Sequence, residues 1–186
     1  SRDNCNRNIK AGISYCRDRI SQQLLPDVLL TTTLDNNGLI SDNPDYLRAD
    51  VIDLLTEKDE KGRDYLDFIS FNPYPYWAGV SIDDAIETFK GMITKTRKAL
   101  AASAYGDAKD KQLWVAETGW EHGGPPEGRR SIESLKTYYR DIIELCKNDT
   151  FKYGEETVKT PDKVFLFSLK DAGGQSFGID PAFNSP

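Results

Sequence analysis

The feature that most constrains the fold is a regular alternation of helical and strand-like hydrophobic patterns. Four segments place apolar residues at helical spacing, and the predicted helices cover residues 6–24, 44–56, 82–102 and 131–146. A short apolar or β-branched segment follows each one, and the predicted strands cover residues 28–34, 66–71, 113–116 and 164–169. Strands that alternate with helices pair in parallel through right-handed crossovers. The alternation therefore predicts an α/β fold with a sheet of four parallel strands.

Length and composition limit the class of protein. The chain has 186 residues, of which 38% are hydrophobic and 11% aromatic, so it is long enough for one domain and too apolar for a disordered chain. No apolar run approaches the roughly 20 residues of a membrane-spanning helix. The formal net charge of −6 repels phosphate backbones, so nucleic acid is not an expected partner. A neutral polymer such as a polysaccharide is compatible with this charge.

Polar or aromatic residues follow the carboxyl end of each predicted strand. They are Asp35, Asn72 with Tyr74, Glu117 with Trp120, and Lys170 with Asp171. Four parallel strands in this order form either an open sheet or half of a closed (β/α)8 barrel, and both architectures bind ligands at these strand ends. The sequence has no Gly-x-Gly-x-x-Gly and no Walker motif, which disfavours the nucleotide-binding open sheet.

Glu117 is the most prominent candidate for chemistry. It ends an apolar strand, where a carboxylate can act as a nucleophile or as a general acid or base. The indole rings of Trp114 and Trp120 flank it and are suited to packing against sugar rings. The alternative is a carboxylate that only caps the following loop.

A second candidate feature follows the second predicted strand. Residues 72–77 read Asn-Pro-Tyr-Pro-Tyr-Trp, and the two prolines restrict the backbone around Tyr74, Tyr76 and Trp77. The segment predicts a rigid aromatic shelf next to the strand end. The alternative is a packed loop whose rings fill the rim of the sheet.

The remaining reactive residues carry weaker signals. Cys5, Cys16 and Cys146 form no Cys-x-x-Cys pair, and Cys5 and Cys16 can form a disulfide only if the first residues are not helical. His122 is the only histidine and is expected to face solvent. Residues 148–150 read Asn-Asp-Thr, an acceptor sequence for glycosylation at Asn148. No ligand cluster has the spacing of a metal site, so neither a metal nor a cofactor is expected.

Three segments, in order, resemble motifs of glycoside hydrolase family 17. Residues 67–77 resemble its Asn-x-Tyr-Pro-Tyr/Phe-Phe strand. Residues 113–120, Leu-Trp-Val-Ala-Glu-Thr-Gly-Trp, resemble its nucleophile strand, Val-x-Glu-Thr-Gly-Trp-Pro. Residues 165–171 and 176–180 are similar to its last strand and its Phe-Gly-Leu segment. Order and spacing agree over about residues 6–183.

The resemblance implies the carboxyl-terminal half, about strands five to eight, of a (β/α)8 TIM barrel. Residues 1–186 would form a single partial domain that lacks the first four strands. The implied activity is a retaining hydrolase or glucanosyltransferase acting on β-1,3-glucan, in the extracellular space or the cell wall, with Glu117 as nucleophile. The expected substrate-binding residues are Asn72, Tyr74, Tyr76, Trp77, Trp120 and Asp171.

The chain also departs from the family's pattern. The family's acid/base lies in an Asn-Glu sequence after the fourth strand, which is absent here, so this glutamate is expected outside the chain. The amino-terminal half of the barrel, on the same polypeptide or a separate chain, is therefore an expected partner. Asp171 stands where the family usually has Glu, and Glu121 stands where it usually has Pro. These departures leave an alternative open, a non-catalytic glucan-binding or structural protein of the wall or of a filament.

Overall fold

A computed structural model of the chain describes residues 2–23, 28–35, 39–41, 47–102, 109–123, 130–171 and 176–179. The helices in this part are α1 (Arg2–Gln22), α2 (Ala49–Thr56), α3 (Ile82–Ala101), α4 (Ile132–Cys146) and a 3-10 helix (Pro75–Ala78). The strands are β1 (Thr33–Asp35), β2 (Ile69–Asn72), β3 (Leu113–Thr118), β4 (Thr150–Tyr153), β5 (Glu156–Lys159) and β6 (Lys163–Leu166). The helix predicted over residues 44–56 begins only at Ala49, because Leu47 pairs with Ile40 in a β-bridge and Arg48 is extended; residues 44–46 lie outside the described residues.

The predicted parallel sheet is confirmed, with the strand order β1-β2-β3-β6. The sequence did not predict β4 and β5, which form an antiparallel hairpin that pairs Thr150 with Lys159 and Tyr153 with Glu156. Phe151 and Val158 face each other in this hairpin and are both buried. Gly154 forms the turn with a φ of +57°, a conformation that favours glycine.

The chain divides into two compact units, and Ser1–Phe71 with Lys95–Trp114 form the first. Its core includes Leu54 and Leu55 of α2 and Phe68 before β2, all buried. Arg17 of α1 binds the Asp67 carboxylate at 2.8 Å and so fixes the helix to the segment before β2. Cys5 and Cys16 both lie in α1 with free, exposed thiols, so the non-helical condition for a disulfide between them is not met.

The second unit consists of Asn72–Thr94 and Val115–Pro186. The two α-helices that begin in this unit have serine N-caps: Ser81 Oγ accepts a hydrogen bond from the Asp84 amide, and Ser131 Oγ accepts one from the Ser134 amide. Helix α4 buries one face, and Leu135, Tyr138 and Ile142 on that face are each at most 1% exposed. Each such side chain contributes about 2 kcal/mol through removal of apolar surface from water, so this face anchors the helix.

One acidic side chain in the first unit, Asp59, makes the free energy of unfolding depend on pH. The Asp59 carboxylate accepts hydrogen bonds from Arg63 Nε and from the amides of Lys61 and Arg63, at 2.7 to 2.9 Å. These bonds, chiefly that from the Arg63 guanidinium, lower the pKa of Asp59 from 3.8 to about 2.

A folded-state pKa below the unfolded value means that the stabilisation is present above pH 3.8 and is lost as the pH falls towards 2. We therefore expect Asp59→Asn to lower the stability of the protein at pH 6 and to flatten its loss between pH 4 and 2. Urea unfolding at pH 6, 4 and 2 measures the free energy of unfolding of both proteins. An equal loss of stability between pH 4 and 2 in Asp59→Asn and wild type would contradict the expectation.

No helix in the described ranges has the length and the apolarity needed to cross a bilayer.

Candidate active site

Glu117 and Tyr74 meet at the carboxyl ends of two strands. Glu117 is the penultimate residue of β3, and Tyr74 lies two residues beyond the end of β2. The Tyr74 hydroxyl donates a hydrogen bond to Glu117 Oε2 at 3.2 Å. Burial, together with the negative charge of Glu117, raises the pKa of Tyr74 far above its usual value. The hydroxyl therefore keeps its proton and acts as a donor to the carboxylate.

The backbone beside Glu117 is fixed by a chain of buried hydroxyl groups. Thr118 Oγ1 donates to the Pro73 carbonyl oxygen at 2.7 Å and lies 2.6 Å from the Tyr138 hydroxyl. A threonine hydroxyl has one proton, and the carbonyl can only accept it, so Tyr138 donates to Thr118. Thr118 is fully buried, and Tyr138 is 1% exposed. These bonds tie the end of β3 to the segment that carries Tyr74.

Asn72 ends β2, and its side chain carries an unsatisfied acceptor. Asn72 Oδ1 is buried and has no hydrogen-bond partner within the described part of the chain. A buried amide oxygen without a donor is destabilising by about 1–3 kcal/mol, so such groups normally find a partner. Asn72 therefore offers an acceptor close in sequence to Tyr74.

The predicted aromatic shelf forms, but its rings take different roles. The 3-10 helix Pro75–Ala78 carries Tyr76, which is 2% exposed, and Trp77, which is 60% exposed. Trp120 is fully buried against Tyr76, with their centroids 5.5 Å apart. Both rings support the shelf from within, and substrate binding by Tyr76 and Trp120 stays a prediction. Trp77 is the ring that faces solvent.

The Phe177 ring packs against two tyrosines of the shelf. Phe177 is 2% exposed, and its ring centroid lies 6.0 Å from Tyr74 and 5.5 Å from Tyr76. Trp114 lies in the first unit, where its ring stacks on Phe68 with the centroids 3.9 Å apart. The indole of Trp114 is therefore used in packing. Its predicted role beside a sugar is therefore not supported by its position.

Asp171 and His122 form a contact that the sequence did not predict. Asp171 Oδ1 accepts a hydrogen bond from the Gly178 amide at 2.7 Å and lies 3.2 Å from His122 Nε2. The His122 amide donates to the Ser176 carbonyl oxygen at 2.7 Å. The expectation that His122 faces solvent is wrong, because its side chain is only 10% exposed. One oxygen of Asp171 is thus committed to holding the segment that carries Phe177.

Tyr76 also takes part in an ionic cluster that the sequence did not predict. Its hydroxyl donates to Glu121 Oε2, and Arg130 Nε donates to the Tyr76 hydroxyl at 2.6 Å and lies 3.0 Å from Glu121 Oε2. Burial, followed by the hydrogen bond to Glu121, raises the pKa of Tyr76, so its hydroxyl is protonated at neutral pH. The one sequence feature that pointed to this cluster was Glu121, a charged residue where the resembled family usually has proline.

The predicted glycosylation site lies apart from this arrangement. Asn148 is exposed after α4, and its Nδ2 donates to the Glu144 carbonyl oxygen at 3.3 Å. In the residues for which coordinates are described, no three His, Cys, Asp or Glu side chains are grouped as metal ligands.

Known proteins resemble the chain in sequence and in fold. No family model matches the chain. A probable glucan endo-1,3-β-glucosidase of Aspergillus oryzae is 32% identical over 84 residues, which cover 42% of this chain and 16% of that protein. A glucan 1,3-β-glucosidase of Schizosaccharomyces pombe is 27% identical over 124 residues, which cover 64% of this chain and 34% of that protein.

Solved structures cover more of the chain. The glycoside hydrolase family 17 β-1,3-glucanosyltransferase of Rhizomucor miehei matches 94% of this chain and 53% of its own, with a TM-score of 0.60 and 18% identity. A β-1,3-glucanase and allergen of Cryptomeria japonica pollen matches 90% of this chain and 60% of its own, with a TM-score of 0.64 and 14% identity. The chain thus spans little more than half the length of these proteins. Its fold is α/β with a parallel sheet and corresponds to part of the (β/α)8 barrel that the motifs of glycoside hydrolase family 17 predicted.

Proposed function

We propose that this chain supplies the nucleophile side of a retaining glycoside hydrolase or glucanosyltransferase acting on β-1,3-glucan. The observation that carries the proposal is the hydrogen bond from Tyr74 to Glu117 Oε2 at the carboxyl ends of two parallel strands. Such strand ends hold the active sites of (β/α)8 barrels. The likeness to β-1,3-glucanases in sequence and in fold supports the substrate class.

The geometry at Glu117 fits the role of a nucleophile. Oε2 accepts a hydrogen bond from the Tyr74 hydroxyl, whereas Oε1 has no hydrogen-bond partner among the residues that are described. Oε1 would attack the anomeric carbon and form a covalent glycosyl ester while the bond to the leaving oxygen breaks. When water or an acceptor sugar cleaves this ester, negative charge returns to the carboxylate, and the Tyr74 hydroxyl stabilises it.

The reaction needs a second carboxyl group that protonates the leaving oxygen and later activates water or the acceptor. In retaining enzymes it stands about 5–5.5 Å from the nucleophile. We assign it to the amino-terminal half of the barrel, on the same polypeptide or on a separate chain. β1 and β6 are the outer strands of the described sheet, and that half would pair with them, since exposed strand edges favour aggregation.

Substrate contacts fall on three groups of the second unit. The exposed indole of Trp77 is suited to packing on the C–H face of a sugar ring. Asn72 Oδ1 has no hydrogen-bond partner in the described part of the chain, and a sugar hydroxyl would supply one. The second carboxylate oxygen of Asp171 completes the set, since its Oδ1 is already bound by Gly178. An extracellular or cell-wall location, with a glycan on the exposed Asn148, agrees with a polysaccharide substrate.

The test uses the full-length protein with laminari-oligosaccharides. Titration calorimetry measures binding, and chromatography of the sugars detects shorter or longer products. Binding with new products supports the proposal, and proton NMR of the first product shows whether the β configuration is retained. Binding without products favours the alternative, a non-catalytic glucan-binding protein. Neither heat nor product would rule out both functions.

The hydroxyl of Tyr74 gives a further test of the site. We expect Tyr74→Phe to lower kcat by about 10- to 100-fold, because one donor to the carboxylate is lost while the ring keeps its packing against Phe177. Initial rates on laminari-oligosaccharides measure the effect. Tyr15→Phe is the matched control, since Tyr15 is 63% exposed on α1 and should leave the rates unchanged. Equal kcat in Tyr74→Phe and wild type would contradict the role given to this hydroxyl.

A further inference from the structure

The cluster of Tyr76, Glu121 and Arg130 is not part of the proposed reaction, yet it is well ordered by its contacts. Arg130 Nε is a donor to the Tyr76 hydroxyl at 2.6 Å and lies 3.0 Å from Glu121 Oε2. The Tyr76 hydroxyl donates in turn to the same Glu121 oxygen. The guanidinium also lies 5.9 Å from the centre of the Tyr76 ring. Two charged groups, the Glu121 carboxylate and the Arg130 guanidinium, thus converge on one tyrosine hydroxyl.

The burial of this cluster makes its contacts stronger than those of a surface ion pair. The side chain of Glu121 is 13% exposed and that of Arg130 is 30% exposed. Hydrogen bonds to charged groups, partly removed from water, contribute more than exposed pairs, which are screened by solvent. The cluster therefore holds the Tyr76 hydroxyl at one position.

Tyr76 is a direct neighbour of Trp77, whose indole also lies 6.0 Å, centroid to centroid, from the Phe177 ring. Tyr76 and Trp77 both lie in the 3-10 helix Pro75–Ala78, and their rings meet edge to face with centroids 4.8 Å apart. The helix is closed at its ends by the bonds from the Trp77 amide to Tyr74 O and from the Gly79 amide to Tyr76 O, both 3.1 Å. Gly79 takes a φ of +78°, which ends the helix. Because the two rings share this short helix and touch each other, a change at the Tyr76 hydroxyl can reach the indole through a single ring contact.

We propose that Glu121, through Arg130 and the Tyr76 hydroxyl, is a positioning residue that orients the exposed indole of Trp77 for binding a sugar ring. Glu121 touches neither the reacting carboxylate of Glu117 nor Tyr74 in the hydrogen bonds described. It therefore affects binding of the sugar at the Trp77 platform and leaves the chemical step unchanged. The inference rests on the proposed glucan-binding function and adds a determinant of its affinity.

The test begins with Glu121→Gln in the full-length protein. Glutamine keeps the size of the side chain but removes the charge that holds Arg130 and Tyr76. We expect KM for laminari-oligosaccharides to rise about 3- to 10-fold, with kcat changed by less than about 2-fold, since binding at Trp77 is the same in the ground and transition states. Glu133→Gln is the matched control, because the side chain of Glu133 is 83% exposed on α4 and should leave both constants unchanged.

A double-mutant cycle separates positioning from a general loss of structure. Trp77→Ala removes the platform, so Glu121→Gln should raise KM little further in that background. If the two effects multiply, Glu121 does not act through Trp77, and the proposal is wrong. A fall in kcat with KM unchanged would overturn it equally.

A readout without sugar keeps this inference separate from the proposed function. The protein is labelled with 5-fluorotryptophan, and the fluorine signal that disappears in Trp77→Phe is assigned to Trp77. Glu121→Gln should shift or broaden that signal, whereas the signal of Trp114, which stacks on Phe68 in the first unit, should stay unchanged. If wild type binds no laminari-oligosaccharide, the proposed function fails, while the Trp77 signal still decides whether Glu121 positions the ring. An unchanged Trp77 signal in Glu121→Gln overturns the positioning role.

Discussion

Replacing Glu117 by glutamine is expected to lower kcat of the full-length protein on β-1,3-glucan by about 10⁴-fold or more. Glutamine has nearly the same shape, and its amide oxygen still accepts the hydroxyl of Tyr74, so the fold should be retained. The amide is a far weaker nucleophile than a carboxylate and forms no stable glycosyl ester. Initial rates on laminarin, with circular dichroism of the variant, measure both parts of the expectation.

The role of Glu117 as nucleophile is separated from that of acid/base by chemical rescue. Glu117→Ala opens space for a small anion, and azide should restore turnover of an aryl β-laminaribioside by attacking from the side of the missing carboxylate. The product would be the α-glycosyl azide, with inverted configuration. A β-glycosyl azide would assign Glu117 to the acid/base role instead. Glu117→Gln with more than a tenth of the wild-type kcat would remove Glu117 from the reaction altogether.

The fold was predictable because its main signals are local. The helix pattern over residues 82–102 gave α3 to within one residue, since a long amphipathic period with an N-cap at Ser81 leaves few alternatives. The strand predicted over residues 28–34 is reduced to Thr33–Asp35, because an apolar β-branched run does not specify how many residues find a pairing partner. The hairpin of β4 and β5 was missed because its short alternation is rich in charged residues.

The site was predictable only in part, and the reason is geometric. Parallel strands bring their carboxyl ends to one edge, so the meeting of Tyr74 and Glu117 followed from the order of strands. Which ring of a shelf faces inward depends on tertiary packing, and the sequence does not encode it locally. Tyr76 and Trp120 therefore proved to be buried while Trp77 is exposed.

Contacts between side chains on separate segments could not be predicted from the sequence patterns. Glu121 and Arg130 are nine residues apart, on either side of a Gly- and Pro-rich segment, and no periodic pattern relates them. His122 and Asp171 are 49 residues apart and meet only because β3 and β6 are neighbours. The Glu121–Arg130 pair holds Tyr76 of the shelf. The His122–Asp171 pair holds the segment that carries Phe177, whose ring packs on the shelf.

Gly119→Ala is expected to destabilise the second unit by about 3 kcal/mol or more. A β-carbon at residue 119 would lie 2.2 Å from the Phe167 carbonyl oxygen and 3.0 Å from the Phe177 ring. The oxygen belongs to the backbone and accepts a hydrogen bond from Tyr139 at 2.7 Å, so it has little freedom to move. Relief of the clash requires the end of β3 to separate from the residues after β6, where the Phe167 amide donates to Thr118 O at 2.8 Å.

This separation would also disturb the site, because Thr118 and Gly119 directly follow Glu117. Urea unfolding measures the stability of Gly119→Ala, and laminarin hydrolysis at a temperature where the variant remains folded measures the displacement of Glu117. Gly12→Ala is the matched control, since a β-carbon there meets no atom within 4 Å in α1 and should stabilise the helix by about 0.5–1 kcal/mol. A loss below about 0.5 kcal/mol in Gly119→Ala would mean that β3 and residue 167 are not held this close, and the support proposed for Glu117 would fail with it.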